Sequence, residues 1–581
     1  MIKKYFRLWW HLAPMHRAGA VALTLGNLAA SVLEVLGLAL FGAVLLRLTQ
    51  GGAPTALMGF GAMHRLIGHA DLRTLTVVCG IIYLGKNALM WFLAWLEARL
   101  TFGVQVHLTV QTLAAMMRQD YEEASRGDQS AKINLLTGGM YYFAFNVLLP
   151  GLTLLAEATL MVALVLFLVL TQPPFVSGML ATLCVVAGVL VIVSRRLVLR
   201  LGADRHRSED DKLQLLSGIF GHLREMYVYS AGPRAVVHLQ GLLTRLASTY
   251  RGFQMLQASP RFVLEVALVG VLLLVVFWQS GSRMDPTLVV SIGVFGAAGF
   301  RLLLSINRMV ACVQAMRFAG PAIDRIVRAL ASPTVPVPVP LPIDGRRTDR
   351  HPAPKVLRLV GISYAYDTNK PVLQGIDLEL PRGSLVAIKG RSGAGKSTLL
   401  DILAGLRTPT RGWIELDGQR IAHKQELAGR IAYAGQQPAV FPDTVRANVA
   451  FGRPPELIDD GAVWRALARA HLDEVVRALP GQLDHRLGFA QTLSGGQIQR
   501  LAVARALYMD CDYLLLDEPT AALDGETEMQ LLSTLKELAN TTGVVVVTHR
   551  RAPIEAADAV LELAGGCLVA DGAQGFVVQP A

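Results

Sequence analysis

The chain has 581 residues, of which 52% are apolar and only 17% are charged. This composition is too apolar for an ordinary soluble protein and indicates a membrane domain. The 55 basic and 44 acidic residues give a net charge of +11, which on its own could indicate a nucleic-acid-binding protein. Integral membrane proteins also collect Lys and Arg on their cytoplasmic loops, so we favour a membrane protein and expect no nucleic acid partner.

The start of the chain, Met1 to Leu12, is basic and aromatic and lacks a small-residue cleavage site. It therefore resembles an interfacial helix more than a signal peptide. The five cysteines are widely separated and include no C-x-x-C pair. Their spacing predicts neither a disulfide framework nor a zinc site.

Residues 1–332 contain six apolar stretches, and a bilayer crossing needs roughly 20 residues. The stretches lie at 18–48, 73–97, 144–170, 175–194, 262–280 and 286–312. They predict a six-helix transmembrane bundle. Long basic connections at 97–143 and 195–261 follow the second and fourth stretches, and we expect both on the cytoplasmic side. The connection Thr49 to Leu72 is either an amphipathic surface helix or a loop.

Six charged residues lie within these stretches, where a charge is costly and is a candidate for function. They are Glu34, Lys86, Glu157, Glu265, Arg301 and Arg308. Three acids and three bases could pair with one another and hold the bundle together. Alternatively, Arg301 and Arg308 face a substrate cavity, because their i, i+7 spacing places them on one helix face. Both interpretations stay open at this point.

Residues 333–354 begin with prolines that alternate with apolar residues and end in a polar, basic run. This composition is typical of a semi-rigid extended linker. It separates the membrane domain from a second domain at 355–581.

The second domain contains a phosphate-binding pattern, Gly390-Arg391-Ser392-Gly393-Ala394-Gly395-Lys396-Ser397. A predicted strand at 384–389 precedes the pattern and a predicted helix at 397–406 follows it. On such a turn, backbone N–H groups and the helix N-terminus can face phosphate oxygens. Lys396 can then reach the outer phosphates of ATP, and Ser397 can ligate Mg²⁺.

Four further motifs follow in a fixed order. They are Leu493 to Gln497, Tyr513 to Glu518, Ala521 to Asp524 and Val544 to His549. The apolar runs among them predict parallel strands whose carboxyl ends meet at a nucleotide. We expect Asp517 to hold Mg²⁺, Glu518 to orient the attacking water, and His549 to contact the γ-phosphate.

Together these motifs make the chain resemble an ABC transporter of the exporter type, a half-transporter with one membrane domain and one α/β P-loop NTPase domain. The resemblance implies that Gln436 contacts Mg²⁺ and the attacking water, that Tyr366 stacks on adenine, with Tyr364 as the less favoured alternative, and that a dimer is required. It also implies that the signature motif of one subunit covers the ATP of the other. The nucleotide-binding residues implied by the motifs are Tyr366, Gly390, Ser392, Gly393, Ala394, Gly395, Lys396, Ser397, Thr398, Ser494, Gly495, Gly496, Gln497 and Asp524.

The sequence departs from the family pattern in two places. Gly435 stands where a proline usually precedes the glutamine, and His485 to Thr492 is one residue shorter than the usual segment and lacks its acid. The second departure bears on how the cytoplasmic loops are held, and not on hydrolysis, because all hydrolytic residues are present.

The membrane domain resembles the lipid-linked oligosaccharide flippases of bacteria, through Ser259-Pro260-Arg261, Leu264-Glu265, and the Arg301 to Arg308 segment. Glu34 and Lys86 also match that family's acid and base. The tentative substrate residues are therefore Glu34, Lys86, Arg301 and Arg308. Exporters of ribosomally made peptides such as lasso peptides and microcins are similar half-transporters.

We therefore predict an ATP-driven, homodimeric exporter or flippase of the bacterial inner membrane, with its ATP-binding domain in the cytoplasm. It would move an amphipathic substrate outward, and an anionic lipid-linked saccharide is the expected class. The segments Asp128 to Thr137 and Tyr227 to Leu239 would pass the motion of the ATP-binding domains to the membrane helices. A heterodimer, a peptide exporter and an ATP-gated regulator are the alternatives.

Overall fold

The structure is a computed structural model of the chain. It describes residues 14–50, 72–125, 128–171, 174–279, 286–331, 356–367, 370–421, 424–427, 429–436, 438–488 and 493–570. The predicted interfacial helix at 1–12, most of the 49–72 connection, the linker at 333–354 and the end of the 485–492 segment lie outside these residues.

The chain forms two compact units. The first comprises Met1–Gln119 and Arg126–Pro333, and the second comprises Thr334–Ala581 together with the short segment Asp120–Ser125. The second unit therefore takes in a short piece of chain from between the helices of the first.

The first unit is helical. Its long helices are α1 (Pro14–Gln50), α2 (Leu72–Met117), α6 (Leu149–Thr171), α7 (Pro174–Gly221), α9 (Gly232–Gln279) and α10 (Pro286–Phe318). Among the described residues, four helices are long and apolar enough to cross a membrane. A fifth span is added if the helical pieces Gly299–Phe318 and Ile323–Ala329, which are bent by 52° relative to each other, count as one. Crossing by α9 stays a prediction.

The predicted cytoplasmic connections are largely helical, a feature that their hydropathy did not predict. Helix α2 runs on to Met117, α7 runs on to Gly221, and α9 begins at Gly232, far from the apolar stretch it carries. Strong helix formers such as Arg, Leu, Gln and Glu can continue a helix beyond the bilayer, whereas hydropathy detects only its apolar part. The helix α8 (Leu223–Val228) lies between α7 and α9.

The third helical segment is irregular. It consists of α4 (Gln129–Asn134), a π-helical turn at Leu135–Gly139, α5 (Met140–Phe143), a second π-helical turn at Ala144–Leu148, and then α6. Each π turn holds one residue more than an α turn, so the two turns change which side chains face the bundle.

Large apolar side chains from four helices form the core of the first unit. Leu164 and Leu168 of α6 are fully buried against Leu183 of α7, Leu264 of α9 and Leu302 of α10. A second cluster buries Ile323 and Ile326 of α11 (Gly320–Ala331) against α2.

The second unit contains two sheets. A six-stranded sheet has the order β10-β9-β3-β8-β7-β6, and its pairs are parallel except for β9 with β10. A four-stranded antiparallel sheet has the order β2-β1-β4-β5. The strands are β1 (Val356–Asp367), β2 (Lys370–Pro381), β3 (Leu385–Lys389), β4 (Arg411–Leu416), β5 (Gln419–Arg420), β6 (Ile431–Ala434), β7 (Tyr513–Asp517), β8 (Gly543–Val547), β9 (Ala559–Ala564) and β10 (Cys567–Ala570).

The helices of this unit are short. They are α12 (Lys396–Leu403), α13 (Val445–Val449), α14 (Asp460–Arg469), α15 (Asp473–Ala478), α16 (Gly495–Tyr508), α17 (Gly525–Ala539) and α18 (Arg551–Ala556). The segment that joins this unit from upstream carries α3 (Tyr121–Ser125). The two segments expected to pass motion between the domains, Asp128 to Thr137 and Tyr227 to Leu239, lie in the first unit, and their coupling role stays a prediction.

The parallel strands β7 and β8 are buried along their whole length, and β3 is buried except at Lys389. A parallel sheet covered on both faces produces this pattern of nearly continuous Val, Leu and Ile. The carboxyl ends of β3 and β7 and the residues that follow β8 therefore meet at one edge of the sheet. The side chains predicted to bind and hydrolyse ATP lie at this edge.

Candidate functional site

The phosphate-binding pattern forms the turn between β3 and α12, as predicted. Gly395 precedes α12 with φ of +103°, a conformation that favours glycine. Gly390 is required for a different reason, because a Cβ there would lie 2.4 Å from the carbonyl oxygen of Leu563. These two glycines therefore hold the loop in its conformation at the N-terminus of α12, where backbone N–H groups can bind a phosphate.

The Lys396 side chain lies across this loop. Its Nζ donates to the carbonyl oxygens of Gly390, at 2.7 Å, and Arg391, at 3.0 Å. It also lies 3.1 Å from Nε2 of His549, which follows β8. Burial lowers the pKa of Lys396, and Glu518 and Asp517 oppose that effect.

Two carboxylates follow one another at the end of β7. Asp517 accepts a hydrogen bond from Ser397 Oγ at 2.9 Å, and burial raises the pKa of this carboxyl group. Glu518 accepts from Nε2 of Gln436 at 2.9 Å and lies 3.9 Å from His549 Nε2. The structure therefore brings the three predicted catalytic residues, Glu518, His549 and Gln436, next to Lys396 and Asp517.

This donor set fits a magnesium ion. Ser397, Asp517 and Gln436 offer a hydroxyl, a carboxylate and an amide oxygen, which are the hard oxygen ligands that Mg²⁺ prefers beside phosphates. The bound ion would neutralise charge on the phosphates. In the part of the chain that the structure describes, no cluster of His, Cys, Asp and Glu forms an alternative metal site.

Glu518 has a backbone conformation that the sequence does not reveal. Its φ is +50°, in the left-handed region that a residue other than glycine rarely adopts. Its N–H donates to the carbonyl oxygen of Val547 at 2.9 Å, which ties it to the end of β8. Such a conformation persists only where surrounding contacts hold it, and it is found disproportionately at active sites.

The structure distinguishes the two candidate adenine-binding rings by their exposure. Tyr364 is buried, with only 5% of its surface exposed, whereas Tyr366 is 54% exposed. The hydroxyl of Tyr366 lies 3.1 Å from Oγ1 of Thr398 in α12. Tyr366 is therefore the ring that a nucleotide on this loop could reach.

The signature residues begin α16. Ser494 caps this helix, and Gln497 completes the capping box with its side chain. Gly495 and Gly496 form the first turn, and Asp524 caps α17 by accepting from Thr527 N–H at 2.9 Å. Within the described residues, no hydrogen bond joins the signature residues to Lys396 or Ser397.

Three of the four tentative substrate residues lie together in the first unit. Glu34 accepts from Lys86 Nζ at 2.7 Å and from Arg301 Nε at 3.0 Å. Glu34 and Arg301 line a cavity of about 510 Å³. Its other lining residues are Leu38, Phe41, Cys79, Gly80, Tyr83, Leu164 and Phe300. Tyr83 lies three residues before Lys86 on α2, and residues three apart share a helix face. Helical spacing could therefore have identified Tyr83 as a further candidate for the cavity lining.

Arg308 lies apart from that cavity. Its Nη1 donates to Glu157 Oε1 at 2.8 Å, and Ser305 Oγ donates to Glu157 Oε2 at 2.6 Å. Glu157 is buried. Glu265 is exposed and forms no ion pair with the residues that the structure describes.

The chain is similar in sequence to known proteins, both in its ATP-binding domain and over most of its length. Residues 373–521 match the ABC transporter family. Relatives named "ATP-dependent lipid A-core flippase" include one from Cupriavidus metallidurans, 30% identical over 74% of this chain and 72% of its own length, and one from Ralstonia nicotianae, 32% identical over 72% and 71%. A third, from Cupriavidus pinatubonensis, is 43% identical, but the match covers only 38% of either chain.

A solved structure titled "Structure of a bacterial Atm1-family ABC exporter with ATP bound" matches with a TM-score of 0.77. It is 20% identical in sequence, and the match covers 95% of this chain and 94% of the other. That likeness confirms the predicted fold, a helical membrane region followed by an α/β ATPase domain. The chain belongs to the ABC transporters, as an exporter-type half-transporter that binds ATP and couples its hydrolysis to transport.

Proposed function

We propose that this protein is a homodimeric flippase that uses ATP to move an anionic lipid-linked saccharide outward across the inner membrane. The observation that carries this proposal is the charge beside the membrane cavity. Two cations, Lys86 and Arg301, share one carboxylate, that of Glu34, so among the described residues this cluster has one formal positive charge in excess. An excess charge at membrane depth is costly, and an anionic head group in the cavity would offset it.

The shape and chemistry of the cavity support an amphipathic ligand. Apolar residues such as Leu38, Phe41 and Phe300 supply most of the lining, and Glu34 and Arg301 supply its charges. Arginine can bind a phosphate group through two parallel hydrogen bonds, which favours a phosphate-bearing lipid over a neutral peptide. The names of the relatives, which mention lipid A-core, support the same substrate class.

The roles of the nucleotide-site residues are part of the proposal. Lys396 and the loop glycines would bind the phosphates, and Ser397, Asp517 and Gln436 would hold Mg²⁺. Glu518 would polarise the attacking water, and His549 would contact the γ-phosphate. Tyr366 would stack on adenine. Because Ser494 and Gly496 form no hydrogen bond to their own phosphate loop within the described residues, we propose that they cover the ATP of a second subunit.

The test uses the full-length protein in vesicles of neutral lipid. We expect a polyprenyl-diphosphate saccharide to stimulate ATP hydrolysis, and its labelled head group to become protected from an impermeant quencher as it moves into the vesicle lumen. Arg301→Met should abolish both responses and retain basal hydrolysis. Arg308→Gln, on the same helix but outside the cavity, is the matched control and should retain both.

Three results would contradict the proposal. Stimulation by a neutral peptide alone would favour a peptide exporter. Stimulation without protection of the head group would favour an ATP-gated regulator. If Arg301→Met left both the stimulation and the protection of the head group unchanged, the cavity would not be the substrate-binding site.

A further inference from the structure

Arg407, which belongs to none of the ATPase motifs, lies at the centre of a polar cluster in the second unit. Its Nε donates to Asp401 Oδ2 at 2.7 Å, and its Nη1 donates to the hydroxyl of Tyr364 at 3.0 Å. The hydroxyl of Tyr364 in turn donates to Glu122 Oε1 at 2.9 Å. The Arg407 side chain is only 14% exposed. The guanidinium is therefore held by fixed partners rather than by water.

The same guanidinium lies over the ring of Tyr366. Its Cζ is 4.8 Å from the ring centroid, within the range of a cation–π contact. The ring of Tyr364 meets Tyr366 edge-on, with 5.2 Å between centroids and an angle of 88°. The hydroxyl of Tyr366 is near Thr398, so Tyr366 is held at its ring and at its tip. More than half of its surface still remains exposed to receive a nucleobase.

Glu122 connects this cluster to α3, the helix that the second unit takes in from upstream. Its Oε1 lies 4.0 Å from Arg407 Nη1, in addition to accepting from Tyr364. The ring of Tyr121, also in α3, has its centroid 5.9 Å from Arg407 Cζ. Arg407 thus contacts α3 on one side and Tyr366 on the other, and a displacement of α3 would disturb the contacts that orient the ring.

We propose that Arg407 is a positioning residue that orients Tyr366 for the base of ATP, and that Glu122 of α3 in turn orients Arg407. This inference rests on the proposed role of Tyr366 as the adenine contact. A planar guanidinium can stack on a ring and donate to two oxygens at once, and a lysine ammonium cannot reproduce that geometry. The position of α3 would therefore affect how tightly the site binds ATP.

The test measures KM and kcat for ATP and for UTP, whose smaller base stacks less well, with the full-length protein in vesicles. Arg407→Met should raise the KM for ATP roughly fivefold, a factor that matches the loss of one cation–π contact, and leave kcat within about twofold. It should also reduce the preference for ATP over UTP, as Tyr366→Ala should. Combining both substitutions should be no worse than Tyr366→Ala alone, because residues acting through one contact are not additive.

Two further variants separate positioning from a general structural effect. Glu122→Gln keeps an acceptor for Tyr364 and removes the charge beside Arg407, so it should raise the KM by a smaller factor. Arg477→Met removes a similar contact elsewhere in the unit, where Cζ lies 4.3 Å from the ring of Trp464. It is the matched control and should leave the KM and the base preference unchanged.

The possible failures are distinguishable. If Tyr366→Ala raises the KM and Arg407→Met does not, the positioning inference is wrong and the proposed adenine contact stands. If Tyr366→Ala itself changes neither KM nor base preference, both are wrong. Arg407 variants that only lower the melting temperature, or that lower kcat at constant KM, would identify a structural role and overturn the inference.

Discussion

Lys396 and His549 contact each other in the nucleotide site, with 3.1 Å between Nζ and Nε2. A lysine ammonium can only donate, so a hydrogen bond at this distance requires Nε2 of His549 to be the accepting ring nitrogen. Gln436 similarly donates to Glu518. The groups that would act on ATP are thus hydrogen-bonded to one another, and nucleotide binding would exchange these contacts for contacts with phosphate, water and Mg²⁺.

Replacing Glu518 tests the assignment of the group that polarises water. Glu518→Gln keeps the size of the side chain and removes the carboxylate, so ATP binding should persist while hydrolysis falls by about 100-fold or more. Steady-state hydrolysis and nucleotide binding by the purified protein are the measurements. Glu526→Gln, an exposed position in the first turn of α17, is the control. Hydrolysis close to that of the unmodified protein would exclude Glu518 from this role.

The proposed magnesium ligands can be tested by titration. A chelator should stop hydrolysis by the unmodified protein, and excess Mg²⁺ should restore it. Ser397→Ala removes the hydroxyl that contacts Asp517, and we expect it to raise the Mg²⁺ concentration for half-maximal hydrolysis by about tenfold. Thr542→Ala, away from the phosphate loop, should leave that concentration unchanged. The assignment of Ser397 would be wrong if both variants required the same Mg²⁺ concentration.

Composite sites between two subunits predict a complementation pattern. A mixed dimer with Lys396→Ala in one chain and Ser494→Arg in the other should keep one intact site, since both substitutions fall on the same composite site. It should therefore hydrolyse more ATP than either parent dimer, and tagged, co-purified mixed dimers are the material for the measurement. Equal activity in the mixed and parent dimers would contradict independent sites shared between subunits.

The ion pair between Arg308 and Glu157 leads us to predict that removing Arg308 lowers the stability of the protein. Among the described residues, Arg308→Ala leaves the buried Glu157 with Ser305 as its one side-chain donor, and an incompletely paired buried group costs about 1–3 kcal/mol. The variant should melt at a lower temperature. The double variant Arg308→Ala with Glu157→Gln removes the stranded charge and should recover part of the loss. If the double variant melted below Arg308→Ala, the pair would not be the cause.

Local patterns explain why much of the second unit was predictable. The phosphate loop, the signature motif and the end of β7 each depend on a few consecutive residues whose conformations are restricted by glycine, by capping and by burial. The turn from Leu385–Lys389 to Lys396–Leu403 was therefore predicted nearly to the residue. The left-handed φ of Glu518 was not, because it depends on the hydrogen bond to Val547 in another strand.

The sequence did not predict which side chains that are far apart in the chain contact each other. Arg301 and Glu34 are 267 positions apart, and Tyr364 and Glu122 are 242 apart. Helical spacing indicated that Arg301 and Arg308 share a face, but not that one joins Glu34 and Lys86 beside a cavity while the other joins Glu157. The partner of a charge depends on which neighbouring helix packs against it, and this packing involves residues distant in sequence.

By itself, the sequence determined the family, the order of the two parts of the chain and the identity of the ATPase motifs, because hydropathy and short motifs are properties of neighbouring residues. Only the tertiary structure decided that Lys86 and Arg301 share the carboxylate of Glu34, that Tyr366 rather than Tyr364 is exposed near the phosphate loop, and that Arg407 lies between α3 and that ring. Each of these depends on the packing of separate helices and strands, since burial and pairing are set by residues that are far apart in the chain and meet only when it folds.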